Sequence, residues 1–137
     1  MNEGVFDLPD AGFVDHTVTY LQGHTPSGSG VLIMVERRPL AAGATLREVV
    51  VAQGKEEATR YRNYRVLFER EIDVASRVAI DVGVRWRVDR GESVYVRRVH
   101  MVHGSVWLVV TGETTLADQD ACDGYVNHVV GSLQLRE

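Results

Sequence analysis

The chain has 137 residues, 45% of them apolar, and a formal net charge of −4. That length suits one domain able to bury a real core, and the acidic balance argues against a general nucleic-acid binder, because phosphate backbones select a basic surface. A lone cysteine, Cys122, leaves no intramolecular disulfide and no cysteine-based zinc cluster, and no apolar run nears the ~18 residues of a membrane span. The start, "MNEGVFDLPD", is acidic where a signal peptide is basic, so a cytoplasmic protein is expected.

In chain order, "GVFDL" (4–8) and "TVTYLQ" (17–22) are short alternating segments bounded by turn residues, the pattern of two strands. "TPSGSG" is a loop, and because a strand rather than a helix follows it, it is not a phosphate cradle. That strand, "VLIMVERRPL" (31–40), carries five consecutive apolar residues. Val31, Ile33 and Val35 fall on one sheet face and Leu32 and Met34 on the other, so both faces need cover.

"GATLREVVVAQGKEEATRYRNY" (43–64) predicts the main helix. Thr45 and Glu48 make a capping-box pattern, and Leu46, Val49, Val50, Tyr61 and Tyr64 recur on one side. Gln53 and Glu57 share that meridian, where a polar group marks either the helix emerging into solvent or a hydrogen-bonding site. Four period-two segments follow at 65–74, 76–89, 93–103 and 105–113, separated by turns, and predict an antiparallel meander. In the second, Val78, Ile80, Val82, Val84, Trp86 and Val88 form a long one-sided apolar row. Residues 116–137 predict a closing helix with Asp118 as N-cap and Cys122, Tyr125, Val126, Val129, Val130 and Leu133 as its stripe. The order implies one α+β domain over 1–137, an antiparallel sheet of about six or seven strands with two helices packed on one face.

No reaction chemistry is expected. His100 and His103 stand at an odd spacing, which puts them on opposite strand faces, and they read as surface or edge residues rather than metal ligands. "DQDACDG" fails as a calcium loop, since Gln119, Ala121 and Val130 occupy ligand positions. No nucleophile elbow is present, Cys122 lies mid-helix, and Asp15, His16, Glu69, Glu71 and Asp73 read as solvated. Arg85, Arg87, Arg97 and Arg98 read as part of a charge-balanced face, with a basic patch as the sharper alternative. No catalytic residue, metal or cofactor is assigned.

Taken together, "NEGVFDLPDAGFVDHTVTYL", the loop into "VLIMVERRPL", the helix "TLREVVVAQ" and the meander with "VRRVHMVHGSVWLVVT" resemble the DUF1795 family. Within it the similarity points to the Eag chaperones of bacterial type VI secretion systems, with Mog1 and PsbP proteins as wider fold relatives. The resemblance implies a cytoplasmic homodimer with an apolar claw. That claw holds the N-terminal transmembrane helices of a secreted effector, often an Rhs toxin with a PAAR domain, until it is loaded on the secretion spike. Carried onto this chain, the cargo groove comprises Val18, Tyr20, Leu32, Met34, Gln53 and Arg98. Direct membrane insertion and nucleic acid are not expected. The alternative is a Mog1-like adaptor for an unidentified protein, without membrane-segment cargo.

Overall fold

The computed structural model describes residues 17–88 and 91–133, so the strand expected at 4–8, together with Asp15 and His16, lies outside the described residues. The elements are β1 (Thr17–His24), β2 (Gly30–Pro39), α1 (Leu46–Arg60), β3 (Arg62–Val74), β4 (Arg77–Arg87), β5 (Ser93–His103), β6 (Val106–Thr115) and α2 (Gln119–Gly131). A 3-10 turn over Leu116–Asp118 leads into α2. The strands form one six-stranded sheet in the order β1-β2-β6-β5-β4-β3, antiparallel throughout.

Local chemistry sets the boundaries. At the start of α1 the Thr45 hydroxyl accepts the Glu48 amide at 3.2 Å, and Glu48 accepts the Thr45 amide at 2.8 Å, the expected capping box. The helix ends at Arg60 rather than running to residue 64. Tyr61 is extended and stacks on Trp86 with ring centroids 4.0 Å apart, and Asn63 has a φ of 53°, which no helix continues through. Asp118 is the residue before α2, as expected, but its side chain makes no cap bond. Its carboxylate instead accepts the Ser27 hydroxyl at 2.8 and 2.9 Å, tying the β1–β2 loop to the start of α2.

The α+β antiparallel architecture is as expected, and the placement of the helices differs from expectation. α2 packs Cys122 and Val126 against Val31, Ile33, Tyr95, Val99, Met101, Leu108 and Val110 on one side of the sheet. Gly112 makes that approach possible, because a Cβ there would stand 2.4 Å from Val126 Cγ2 and 2.9 Å from Cys122 Sγ. α1 sits on the other side, where Val82, Val84, Trp86 and Val96 meet Tyr61 and Tyr64. Neighbouring residues on β5 demonstrate the opposition: Arg97 reaches Asp123 of α2 at 3.6 Å, whereas Arg98 reaches Glu57 of α1 at 2.6 Å. An amphipathic stripe dictates which side of a helix faces the sheet, not which side of the sheet it meets.

Beneath α2 lies a polar island. Asp81 is fully buried and accepts two bonds from Arg97, at 2.8 and 2.9 Å, and one from Arg70 at 3.0 Å. The Tyr95 hydroxyl donates to Asp123 at 2.7 Å, and burial with this bond pushes its pKa upward. Every polar atom of the Asp81 carboxylate is thereby matched, as a buried charge requires. Cys122 is buried beside it, and desolvation raises its thiol pKa to about 12, which fits its expected role as a small buried hydrophobe.

Candidate functional site

α2 lies over β2, β5 and β6 on its side, and α1 lies over β3, β4 and β5 on the other. Among the described residues, no helix therefore lies over the centre of the α1-side surface of β1, β2 and β6. Antiparallel register aligns side chains across it: Tyr20 pairs with Met34, Met34 with Thr111, and Thr111 with Arg98. Gln22 pairs with Leu32, and Leu32 with Glu113, in the next row on the same face. Tyr20 is 59% exposed, while Leu32 and Met34 are half-buried. A concavity of about 660 Å³ opens at the strand ends beside this second row, with Gln22, His24, Leu32, Val94, Glu113 and Thr114 in its wall.

Polar groups border this apolar strip on the α1 flank. Arg38 bridges Glu36 at 2.8 and 3.1 Å, extends to Gln53 Oε1 at 3.5 Å, and lies over the Trp107 ring at 4.7 Å. The indole N–H of Trp107 donates to His100 Nδ1 at 3.2 Å, which assigns the imidazole proton to Nε2. Burial, with the Arg98 and Arg38 charges nearby, lowers the His100 pKa to about 3. His100 is 2% exposed, which corrects its expected surface position: it shares the even-numbered β5 face with Arg98 and is covered there. A second groove, of about 430 Å³, runs between α1 and this border and is lined by Arg38, Gln53, Glu57, Arg98 and Trp107.

Of the six residues assigned to a groove, Tyr20, Leu32, Met34 and Arg98 share one sheet face, and Gln53 overhangs it from α1. Val18 takes the matching register position opposite Glu36. Arg98 is already engaged, since both Glu57 oxygens bind its guanidinium at 2.6 and 2.8 Å, so it anchors α1 to the sheet. The residue that sequence reasoning missed is Thr111. It stands between Met34 and Arg98, is 3% exposed, and its hydroxyl has no hydrogen-bond partner among the described residues. Extending the period-two count from Trp107 along β6 would have placed it on this face. Among the described residues no three His, Cys, Asp or Glu side chains are grouped to hold a metal ion, and no helix is long and apolar enough to cross a membrane.

An antiparallel six-stranded sheet with one helix on each side is a PsbP-like fold. It resembles the solution structure of the cyanobacterial PsbP protein CyanoP from Synechocystis sp. PCC 6803, with a TM-score of 0.57 at 10% identity, over 96% of this chain and 99% of that one. The crystal structure of PA94 from Pseudomonas aeruginosa, a protein of unknown function, is similar with a TM-score of 0.83 at 16% identity, over 96% of this chain and 91% of that one. No curated protein sequence matches the chain. The DcrB family model matches residues 3–132, and the chain belongs to the DcrB family.

Proposed function

We propose that this protein is a non-enzymatic cytoplasmic chaperone of the Eag type, acting as a homodimer on the N-terminal transmembrane region of a type VI secretion effector. The α1-side surface of β1 and β2 is the cargo site, and shielding there precedes loading of an Rhs or PAAR effector on the secretion spike. The observation that carries this reading is the row from exposed Tyr20 through half-buried Met34 to the buried Thr111 hydroxyl, which has no partner among the described residues, on a sheet surface that no described helix covers. A transmembrane helix in water exposes a large apolar area, and covering it is worth about 25 cal/mol per Å² before the cost of association. Met34 adapts its shape to varied apolar cargo, Gln53 offers hydrogen bonds to polar groups of a helix, and the buried Thr111 hydroxyl joins it once the side chains that cover it move aside, as small polar residues do between membrane helices.

Co-expression with the N-terminal transmembrane region of an effector encoded beside this gene, followed by size-exclusion chromatography with light scattering, tests the proposal. A soluble complex with two copies of this chain is expected, and Met34→Asp is expected to stay folded while losing it. The proposal fails if the chain elutes alone while the effector fragment aggregates. An unfolded Met34→Asp protein would instead make Met34 part of the core.

A further inference from the structure

On the α2 side of the sheet, away from the proposed cargo surface, β3 and β4 bring four arginines together. Arg62 pairs directly with Arg87, and Arg65 with Arg85, in the antiparallel register. Arg85 also pairs with Tyr95, whose hydroxyl meets Asp123 of α2, so this cluster lies on the α2 face but beyond that helix's footprint. Arg62, Arg65 and Arg87 are exposed and Arg85 is half-buried.

Six other arginines are neutralised: Arg38, Arg47, Arg60, Arg70, Arg97 and Arg98 each face a carboxylate. In the cluster, no described acidic group lies within ion-pair distance, and the single polar contact is Arg85 to the Ser93 hydroxyl at 3.4 Å. Like charges directly opposite on neighbouring strands oppose folding, so two such pairs side by side are an arrangement that stability alone disfavours. A chain with net charge −4 nonetheless concentrates them at one end of one hairpin.

We infer that this arginine cluster is a docking surface for an acidic, extended segment of a partner protein. β3 is the edge strand of the sheet, and on β4 Arg85 and Arg87 stand two residues apart, a ~7 Å repeat that matches alternate carboxylates on an extended peptide, while a register shift between Arg62 and Arg65 offsets the β3 pair. The planar guanidinium forks bind such carboxylates in bidentate fashion.

The test is fluorescence anisotropy of the full chain with a short labelled peptide alternating glutamate and threonine, at low and at physiological salt, beside a glutamine-threonine control. Phosphatidylserine vesicles form a second arm. Salt-sensitive binding of the acidic peptide alone is expected, weakened about tenfold or more by Arg65→Gln with Arg85→Gln and by Arg62→Gln with Arg87→Gln. Thermal melts of both variants, expected at or above the parent's, show that the fold is intact. Four outcomes overturn the inference: no binding, equal binding of the glutamine peptide, binding to vesicles instead, or variants that bind as the parent does. Variants that self-associate through the freed edge, with peptide binding unchanged, would assign the arginines to edge protection.

Discussion

Thr111→Val puts the central feature of the candidate site to a quantitative test. The Thr111 hydroxyl is buried, with no protein partner among the described residues, between Met34 and Arg98. A buried polar group without a partner costs about 1–3 kcal/mol, and valine replaces the hydroxyl with a methyl of similar size while keeping the branched Cβ that strands favour. Thr111→Val should therefore stabilise the free protein by about 1–3 kcal/mol. At this size each kcal/mol is worth about 3–5 °C in Tm. Equilibrium urea unfolding followed by the fluorescence of Trp86 and Trp107 reads the gain as a raised midpoint at constant slope. A variant less stable than the parent would show that the hydroxyl is satisfied in solution and would refute the reasoning. The same variant should hold an effector transmembrane fragment more weakly, because the bound segment is the partner that the proposed function supplies. A gain in stability with unchanged retention would remove Thr111 from the cargo site.

Three further outcomes are expected. Glu57→Ala leaves the mostly buried Arg98 guanidinium without its carboxylate and should cost about 3 kcal/mol in urea unfolding, whereas Glu57→Met with Arg98→Met should recover most of that loss; equal losses in the single and double variants would show that the pair does not anchor α1. His100 binds its proton in the unfolded chain near pH 6.5 but in the folded chain only near 3, so its contribution is fully present above pH 6.5 and is lost as pH falls through that window, by up to about 1.4 kcal/mol per pH unit. Ring resonances that titrate at or above 6.5 would contradict this. The β3–β4 turn places Ala75 and Ser76 at φ values of 50° and 66°, so Ala75→Asn with Ser76→Gly, which suits two positive-φ positions, should raise stability by about 1 kcal/mol, and a lower Tm would argue against that turn geometry.

The elements themselves were legible because their signals are local. The Thr45–Glu48 capping box, the turn residues and the period-two strands act within a few residues, and the structure places those from residue 17 onward accordingly. The sides were not legible, since they depend on contacts made at long range. α1 is held less by an apolar stripe than by polar reach: Val50 and Glu57 are its buried residues, and Glu57 binds Arg98, far away in sequence. A stripe count that excludes polar groups cannot see such an anchor. His100 was misread for a related reason, as its cover comes from α1 and from Trp107 rather than from its strand neighbours.

These long-range contacts also explain why β2 is apolar on both faces. Val31 and Ile33 are buried in the core beneath α2, as an ordinary half-covered sheet would require. Leu32 and Met34 face the α1 side, but the Glu57–Arg98 pair holds α1 over β3, β4 and β5, leaving these two side chains beside Tyr20 and half-buried. Had α1 joined α2, the Val84, Trp86 and Val96 cluster would have lost its cover as well. Its position protects that cluster and, among the described residues, leaves the strip of Tyr20, Leu32 and Met34 without a helix over it, where the proposed cargo would lie.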